Sequence, residues 1–401
     1  MISETPVLPQ PWRSVKLDEL CTLVRGASPR PKGDPRYFGG PIPWISIADL
    51  SREEGKFLTR TKEGVTAAGA KLSRLLSEGT LIVSNSATIC IPKILGVAGC
   101  IHDGFVALTE LSPKVDIHYL YHFFNAIRDE IRAKNTQGVT QVNLNTTIFK
   151  GMDVPLPPLK EQRRIAEVLD RAEALRAKRR AALAQLDILT QAIFLDLFGD
   201  PTTNPKGWGT QPLASLVRSD DTINYGVVQP GDHVEDGIPL VRVGNLLEGR
   251  VNHSSLKRIA PMIEASYKRS RLRGHEVLVS CVGSIGVVAL ADETVKGFNI
   301  ARAVARIPLM DTASRVFMAA YLATNFVQNY FTTELRTVSQ PTLNIKQLSE
   351  TPVVLPPAEL QQEFCHRVSA VDKLRIGHRA SLVELDGLFA TLQHRAFRGE
   401  L

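Results

Sequence analysis

Cysteine, aromatic residues and long apolar runs are all scarce in this sequence of 401 residues, in which aromatic residues make up 6%. The cysteines include no CxxC pair, so we expect neither disulfides nor a structural zinc site, as in a reducing compartment. The longest apolar stretch, residues 81–101, contains Asn85 and Lys93, and it therefore predicts no membrane span. The first ten residues carry neither a basic segment nor an apolar core, so we expect a cytoplasmic protein without a secretion signal. The five cysteines are Cys21, Cys90, Cys100, Cys281 and Cys365.

Catalytic signatures are also absent from the sequence. It has no GxxxxGK[ST] phosphate loop, no HExxH zinc motif and no GxGxxG after a predicted strand. The Asn-Pro-Pro-aromatic tetrapeptide of amino-methyltransferases is absent as well. The glycines of VGSIGV, residues 282–287, favour a tight turn over a phosphate-binding loop. We therefore expect a chain that is not an enzyme by itself and that binds no metal or cofactor.

An unusual heptapeptide occurs twice in the chain. LPPLKEQ spans residues 156–162 and LPPAELQ spans residues 355–361, an offset of 355 − 156 = 199. At the same offset TQVNLN precedes the first copy and SQPTLN precedes the second. Further upstream IPWISIADL matches IPLVRVGNL at an offset of 238 − 42 = 196. Ordered matches with small changes of offset indicate an internal duplication of half the chain.

The duplication predicts four segments and a mixed α+β fold. Residues 1–155 and 201–354 are rich in turn residues and short β-like runs, which is typical of globular domains. Residues 156–200 and 355–401 each read as one long helix. The first of these helices follows Pro157 and Pro158 and contains neither Pro nor Gly from Lys160 to Phe198. At about 1.5 Å per residue it would extend about 57 Å, which is long enough to connect two domains.

Both predicted helices carry an apolar stripe with a seven-residue repeat, as in a coiled coil. We therefore expect the helices to pair, although packing of each helix on its own domain is the alternative. Each stripe is interrupted once near its middle, by Arg179 and by His378, which are again 199 residues apart. An antiparallel pair would bring these two residues into one layer, with His378 neutral or an acid such as Asp187 or Glu384 compensating the charge. The predicted pairing residues are Ile165, Leu175, Leu186, Ile193, Phe364, Leu374, Leu385 and Leu392.

The charge distribution favours a polyanionic partner. The net charge is +7, and residues 256–274 contain six cations against one acid, Glu264. Lysine and arginine bind DNA phosphates, whereas arginine, asparagine and glutamine distinguish bases. Such residues recur in loops of both halves, although ordinary turns and a solvated face are the alternative explanation. The candidates of the first half are Arg25, Arg30, Lys32, Arg36, Tyr37, Gln137, Thr140, Gln141 and Asn143. Those of the second half are Tyr225, Gln229, Arg242, Lys268, Arg269, Arg271, Arg273, Ser339, Gln340 and Asn344.

With these motifs the sequence resembles the specificity subunit of a type I restriction–modification enzyme over essentially its whole length. The resemblance rests on the paired Pro-Pro helix starts, on TQVNLN and SQPTLN, and on YFGGPIPWISIADL and YGVVQPGDHVEDGIPLVRVGNL. The second helix start departs from the first, since Leu360 stands where Glu161 stands. This departure bears on local contacts of the second copy.

The resemblance implies two target recognition domains on an antiparallel pair of helices, with an internal pseudo-two-fold symmetry. Each domain would read one half of a split sequence in double-stranded DNA. The helices would fix the unread gap and dock two modification subunits, and restriction subunits would join for cleavage. S-adenosylmethionine, ATP and Mg²⁺ would belong to those partners. Two alternatives remain at this stage: a self-contained DNA methyltransferase or nuclease, and a two-lobed protein-binding scaffold without DNA specificity.

Overall fold

The structure, a computed structural model, describes residues 8–85, 90–136, 145–334 and 341–401, with the side chains of all these except 129–130 and 132–136. The chain divides into two compact units: unit 1 is Met1–Ala182 with His378–Leu401, and unit 2 is Leu183–Gly377. Each unit contains a globular lobe and one half of each of two long helices. The expected mixed α+β class is confirmed.

The lobe of unit 1 combines short strands with four helices among its described residues. Its strands are β1 (Arg13–Lys16), β2 (Thr22–Arg25), β3 (Phe38–Ile45), β4 (Phe57–Leu58), β5 (Glu63–Val65), β6 (Arg74–Leu76), β7 (Leu81–Ser84), β8 (Pro92–Leu95), β9 (Gly99–Ile101), β10 (Phe105–Thr109) and β11 (Asp153–Leu156). Its helices are α1 (Leu17–Leu20), α2 (Ala67–Lys71), α3 (Ile117–Thr136) and α4 (Thr146–Lys150), with a 3₁₀ turn at Ile47–Ser51.

The lobe of unit 2 follows the same plan. Its strands are β12 (Gly209–Pro212), β13 (Asn224–Tyr225), β14 (Ile238–Val241), β15 (Leu246–Leu247), β16 (Arg250–Val251), β17 (Lys257–Ile259), β18 (Val277–Ser280), β19 (Val288–Leu290), β20 (Asn299–Ile300), β21 (Val304–Ile307) and β22 (Pro352–Leu355). Its helices are α6 (Pro261–Ala265), α7 (Arg315–Leu322), α8 (Asn325–Glu334) and α9 (Ile345–Ser349). Four 3₁₀ turns lie at Leu213–Leu216, Val243–Asn245, Lys268–Ser270 and Glu293–Val295.

The strand pairing repeats between the two lobes. The larger sheet has the order β2-β10-β7-β8-β4 in unit 1 and β13-β21-β18-β19-β16-β15 in unit 2. The smaller sheet has the order β5-β3-β9-β6 in unit 1 and β17-β14-β20 in unit 2. In both smaller sheets the central pair is parallel, β3 with β9 and β14 with β20. The ends of each lobe close as an antiparallel pair, β1 with β11 and β12 with β22. The sequence repeat is therefore a repeat of topology.

The twin heptapeptides each end in a buried glutamine that ties a lobe to a long helix. The long helices are α5 (Leu159–Phe198) and α10 (Ala358–Ala396). Gln162 donates to the carbonyls of Lys114 and Pro157 at 2.9 and 2.8 Å, and it accepts from the amide of Asp116 at 2.8 Å. Gln361 donates to the carbonyl of Pro356 at 2.9 Å and accepts from the amide of Ser314 at 3.0 Å. The repeated Gln thus satisfies backbone groups just before α3 and α7, which would otherwise be buried without partners.

Apolar packing joins each lobe to its helix halves. In unit 1 the fully buried Ile165 and Leu169 of α5 belong to the same cluster as strand residues of the larger sheet. In unit 2 Phe194 of α5 lies 5.9 Å from Phe317 of α7 and 5.7 Å from Phe364 of α10, measured between ring centroids. Each such buried side chain contributes about 1.5–3 kcal/mol relative to an exposed one.

Within each unit the two helix halves run antiparallel. In unit 1 Arg176 contacts Asp386 and the earlier Arg164 contacts Leu401. In unit 2 Asp187 of α5 contacts Arg375 of α10, and the later Asp196 of α5 contacts the earlier Arg367 of α10. The predicted antiparallel direction is confirmed in both halves.

The seam between the helices differs from the predicted one at two of the eight positions. Leu175 and Leu374 are 52% and 56% exposed, so they lie outside the seam and their prediction is wrong. The seam steps four residues from Ala172 to Arg176, not three to Leu175, because the long arginine reaches the partner helix and covers the ring of Phe389 at 4.3 Å. An arginine stem can fill an apolar position while its charged end is paired.

The other predicted pairing residues face the seam or the core. Ile165 and Phe364 are fully buried. The remaining four are half-buried, namely Leu186, Ile193, Leu385 and Leu392.

The predicted polar layer is present in unit 1. A guanidinium nitrogen of Arg179 donates a hydrogen bond to Nδ1 of His378. The two residues therefore share one layer, as the sequence predicts. Asp187 is not needed here and instead binds Arg375 in unit 2.

Helix α5 is long and apolar enough to meet a simple criterion of length and composition for a membrane span. Its last turns nevertheless pack inside unit 2, where Phe194, Leu197 and Phe198 are buried in the apolar cluster. We therefore interpret its apolar residues as seam and core residues.

Candidate nucleic-acid interface

Equivalent loops leave the larger sheet of each lobe after a glycine that no other residue could replace. A Cβ atom on Gly26 would lie 2.1 Å from the carbonyl oxygen of His102, and one on Gly226 would lie 1.6 Å from that of Ile300. The amide of the residue after each glycine donates a hydrogen bond to a backbone carbonyl of the adjacent segment. Ala27 donates to Ile101 at 3.2 Å, and Val227 donates to Ile300 at 2.8 Å. The close approach fixes where residues 27–37 and 227–237 emerge. We name these segments loop 1 and loop 2.

Loop 1 carries exposed cations next to an aromatic ring. Arg30 and Lys32 are exposed, and Arg30 lies 3.8 Å from Asp103. The guanidinium of Arg36 donates three hydrogen bonds to Asp34, which lower the pKa of that carboxyl group, and it lies 5.4 Å from the ring centre of Tyr37. The structure therefore brings four of the predicted residues together on one exposed loop.

Arg25 lies just before loop 1 and is partly committed to the lobe. Its Nε donates to the carbonyl of Asp103 at 3.2 Å. Its remaining guanidinium donors are available, since the residue is exposed.

Loop 2 has a different character from loop 1. Gln229 is exposed, and so are the acidic residues Asp232, Glu235 and Asp236. Tyr225, which precedes the loop, donates its hydroxyl to the carbonyl of Leu343 at 2.6 Å, and burial raises its pKa. The hydroxyl of Tyr225 is therefore already used inside the lobe, and its DNA contact stays a prediction.

Arg242 stands at the edge of a surface cavity of about 680 Å³ that also involves Asn245 and Ser254. Its guanidinium donates to the carbonyl of Ser255 at 2.9 Å. Asn245 holds the turn, since its Oδ1 accepts from the amide of Arg242 at 3.0 Å. Arg242 thus remains exposed, but one side of its guanidinium is committed to the turn.

The basic stretch of unit 2 divides into cations that hold the lobe together and cations that remain available. Lys257 donates to the carbonyl of Gly231, and Arg258 donates to that of Gly237 at 3.2 Å, so both hold the backbone of loop 2. Lys268 and Arg269 are exposed and have no ion pair among the described residues. These two are the best candidates for contacts with phosphates.

Two predicted DNA contacts of this stretch are instead tied to acids. Arg271 makes a bidentate pair with the buried Glu264 at 2.8 and 2.6 Å, and this hydrogen bonding lowers the pKa of Glu264. Arg273 lies 3.5 Å from Asp221. The charge of Arg271 is already matched by a bidentate partner, and its DNA contact stays a prediction.

A buried ionic network supports the available cations from below. Arg306 is 1% exposed and donates to Glu276 at 2.9 Å, to Asp221 and to the carbonyl of Arg269 at 2.9 Å. Glu276 also accepts from the amides of Arg273, Gly274 and His275 at 2.7, 3.0 and 3.0 Å. The backbone of residues 269–275 is therefore anchored at both ends, beneath a polar surface cavity of about 330 Å³ lined by Lys268 and Arg269.

Asn344 and Asn145 explain the repeated TQVNLN and SQPTLN motifs. The side-chain oxygen of Asn145 accepts from the amide of Ile148 at 2.9 Å, and that of Asn344 accepts from the amide of Gln347 at 2.9 Å. Both residues therefore cap short helices, which gives Asn344 a structural role, and its DNA contact stays a prediction. The other predicted residues of these loops lie outside the described residues, namely Gln137, Thr140, Gln141, Asn143, Ser339 and Gln340.

Within the part of the chain that the structure describes, one cluster of potential metal ligands escaped the sequence analysis. His122, Asp170 and Glu173 bring their ligand atoms within 4.8 Å of one another. The ammonium group of Lys56 lies 2.5 Å from Asp170 and supplies the positive charge there. The residues come from separate segments without a metal-binding spacing, so no local signal could have revealed the cluster.

The cysteines do not provide a reactive centre. All five are free thiols in the structure. Burial raises the pKa of Cys21, Cys90 and Cys281 to about 12, so these three stay protonated at neutral pH.

Comparison with known proteins gives one consistent result. The family described as “Type I restriction modification DNA specificity domain” matches residues 9–185 and 222–384. The specificity subunit of the type I restriction enzyme EcoBI from Escherichia coli is 32% identical over 318 residues, which cover 72% of this chain and 66% of that protein. The specificity subunit of type I restriction enzyme MjaIX from Methanocaldococcus jannaschii is 23% identical over 417 residues, which cover 98% of this chain and 94% of that protein.

Two solved structures have a similar fold. A chain from a study of complex assembly and conformational transition of the type I R-M system matches with a TM-score of 0.57 and 19% identity, covering 98% of this chain and 100% of that one. The S subunit of a type I restriction–modification system from M. genitalium matches with a TM-score of 0.54 and 15% identity, covering 98% of this chain and 99% of that one. At these identities the likeness concerns the fold alone.

Proposed function

Because the chain belongs to the family of type I restriction modification DNA specificity domains, we propose that it is the DNA-recognition subunit of a type I restriction–modification complex. Each lobe reads one half of a bipartite target, and the paired helices set the gap between the half-sites. The observation that carries this proposal is the repetition of one lobe topology, with exposed loop 1 and loop 2 emerging at equivalent glycines.

The electrostatics of the two lobes support contacts of different kinds. Loop 1 presents Arg30 and Lys32, which suit phosphates and guanine edges. Loop 2 is acidic and would be repelled by phosphates, so in unit 2 the phosphate contacts belong to Lys268 and Arg269. Gln229 is then the exposed residue of loop 2 with the amide chemistry for an adenine edge.

We further propose that two modification subunits dock on the chain and that restriction subunits join for cleavage. Exposed apolar residues on both helices, among them Ile188 and Val383 at 66% and 72% exposure, are suited to such docking. S-adenosylmethionine, ATP and Mg²⁺ would bind to those partner subunits, and the complex would act in the cytoplasm. The specificity subunit itself contributes recognition and no catalytic step.

The deciding experiment expresses the chain with its modification subunits and maps methylated bases across the DNA of the host cell. We expect one bipartite motif with a single gap length. A salt-dependent DNA-binding measurement on the same complex tests the alternative of a protein-binding scaffold, which would show no sequence preference. Methyl transfer by the purified chain alone would overturn the proposed role and favour a self-contained enzyme.

A further inference from the structure

In unit 1 an ionic cluster joins the lobe to α5 well away from the start of that helix. Asp170 of α5 accepts from Nε2 of His122 on α3 at 2.9 Å and from Lys56, just before β4, at 2.5 Å. His122 is fully buried and the side chain of Lys56 is 17% exposed. Burial pushes the pKa of Asp170 upward, but hydrogen bonds from His122 and Lys56 outweigh it and lower that pKa to about 2. The carboxylate is therefore firmly held in its charged form.

The cluster continues along α5 to the partner helix. Glu173 lies one turn further on, beside Asp170, and burial raises its pKa. Arg176 follows after another turn, and its Nε donates to Asp386 of α10 at 2.6 Å. Charged groups thus run from the lobe, along one face of α5, to the partner helix within the same unit.

Unit 2 repeats this arrangement with different residues. Arg250 of β16 lies 3.5 Å from Asp372 of α10, and Asp372 also binds Arg375. Arg375 in turn donates to Asp187 of α5 at 3.0 Å. Asp372 and Arg375 are the counterparts of Glu173 and Arg176 at the offset of 199 residues. Strands β16 and β4 are equivalent too. In the larger sheet of its lobe β16 pairs in parallel with β19, and β4 pairs in parallel with β8.

We propose that these contacts are clasps that restrict the complex to one gap length between its half-sites. The clasp of unit 1 consists of Lys56, His122 and Asp170, and the clasp of unit 2 consists of Arg250 and Asp372. The proposal rests on the proposed function and adds the residues that set the stringency of spacing. They are positioning residues, since they act through the orientation of a lobe and contact no DNA.

The physical reason is that a lobe needs a second directional attachment to keep its angle on the helix. The first attachment is Gln162 at the helix start, and Asp170 lies about 12 Å further along α5, at 1.5 Å per residue. The apolar contacts between them are non-directional and permit small rotations, whereas charged hydrogen bonds depend on angle. A point about 15 Å from the pivot, the radius of gyration of such a lobe, moves by one base-pair rise of about 3.4 Å when the lobe turns by about 13°.

The test measures methylation by the complete complex on duplexes that carry both half-sites with the cognate gap or with one base pair more or less. The variants are Lys56→Met in the clasp of unit 1 and Arg250→Met in the clasp of unit 2. We expect each to raise methylation of the altered gaps by about twofold to fivefold relative to the cognate gap, the range that an ion pair of partial exposure supports. Discrimination against mismatched half-sites should stay unchanged.

Two matched controls separate positioning from general loosening. Arg171→Ala removes an exposed ion pair with Glu167 on the same helix, and it should leave gap discrimination as it is. Thermal unfolding of every variant shows whether it is folded, and Arg250→Met is the milder change because Arg250 is half exposed. Folded variants that keep wild-type gap discrimination would overturn the proposal, and so would an equal loss of half-site discrimination. If the unaltered complex methylates no bipartite site, the proposed function itself fails, irrespective of the variants.

Discussion

In unit 1 Arg176 forms an ion pair with Asp386, and in unit 2 Arg375 forms the equivalent ion pair with Asp187. The N···O distances are 2.6 and 3.0 Å, and each partner is displaced by 199 residues from its counterpart, since 375 − 176 and 386 − 187 are equal. The repeat therefore extends to individual hydrogen bonds between the helices. A charged pair placed twice in a seam specifies register more sharply than leucines alone would.

Arg176→Ala should destabilise the chain by about 1–2 kcal/mol, because it removes a partly buried ion pair and the packing of the arginine on Phe389. Arg171→Ala on the exposed side of the same helix should change stability by less than about 0.5 kcal/mol. Urea unfolding of both variants provides the measurement. Equal effects of the two changes would show that Arg176 is not a seam residue.

Exchange of residues 201–354 for the second lobe of another family member should change one half of the recognised motif and leave the other half intact. The reason is that each lobe has its own sheets, core and loop. Methylation mapping of cells carrying the hybrid subunit gives the motif directly. A change in both halves would refute independent reading by the two lobes.

Replacing Lys268 and Arg269 with Ala should weaken DNA binding and reduce the slope of log affinity against log salt by up to about 1.8, since each lost phosphate contact contributes about 0.9. Stability and the preferred sequence should not change. The matched pair Arg271→Ala and Arg273→Ala should instead lower stability by about 1–3 kcal/mol, because Glu264 loses its bidentate arginine and Asp221 loses one of its two arginines. Binding isotherms at several salt concentrations and thermal unfolding distinguish the two. An unchanged slope in the first variant would show that these cations only face solvent.

Four residues inserted after Ala182 should lengthen α5 by about 6 Å and turn the following part by roughly 40° beyond a full turn. At about 3.4 Å per base pair the gap should grow by one to two base pairs with both half-sites unchanged. A companion variant with seven residues after Ala182 and seven after Arg379 keeps the seven-residue repeat of the seam, and it should extend the gap by about three base pairs. Methylation at the original spacing by folded variants would show that the helices do not set the gap.

The contribution of Asp170 to stability should depend on pH. Its pKa is about 2 in the folded chain and 3.8 in its ordinary state, so the stabilisation is present above about pH 4 and is lost as the pH falls towards 2. Asp170→Asn should therefore cost about 1 kcal/mol near neutral pH, after allowance for solvent screening at this partly exposed site. The difference between wild type and variant should shrink below pH 4. Urea titrations at a series of pH values measure this, and a constant difference from pH 7 to pH 3 would contradict the assigned role of the charge.

The sequence was sufficient to predict the large-scale organisation of the chain. Twin heptapeptides placed both long helices, and the matched interruptions at Arg179 and His378 gave the antiparallel direction. The choice of Arg176 over Leu175 as the seam residue that follows Ala172 was not predictable from apolar content, because Leu175 offers more hydrophobic surface than Arg176. Only the position of Asp386 and Phe389 on the partner helix makes the arginine the better seam residue.

The candidate DNA-binding residues were harder to predict for a related reason. Residue type indicates which side chains can bind DNA, but availability depends on what the fold places beside them. Arg273 meets Asp221 from a segment about fifty residues earlier in the chain. Tyr225 finds the carbonyl of Leu343 from the far end of the lobe. Such partners are distant in sequence, so no local pattern distinguishes a structural arginine or tyrosine from one that faces DNA.

The glutamine at each lobe boundary has a consequence for how new specificities arise. All hydrogen-bond partners of Gln162 and Gln361 described above are backbone amides and carbonyls, so these hydrogen bonds make no demand on the side chains of the lobe. A lobe acquired by genetic recombination would keep these hydrogen bonds at either boundary, provided that its ends bring the same backbone groups to the glutamine. Diversification of the DNA target could therefore proceed by acquisition of a whole lobe at a boundary whose hydrogen bonds do not depend on the sequence of that lobe.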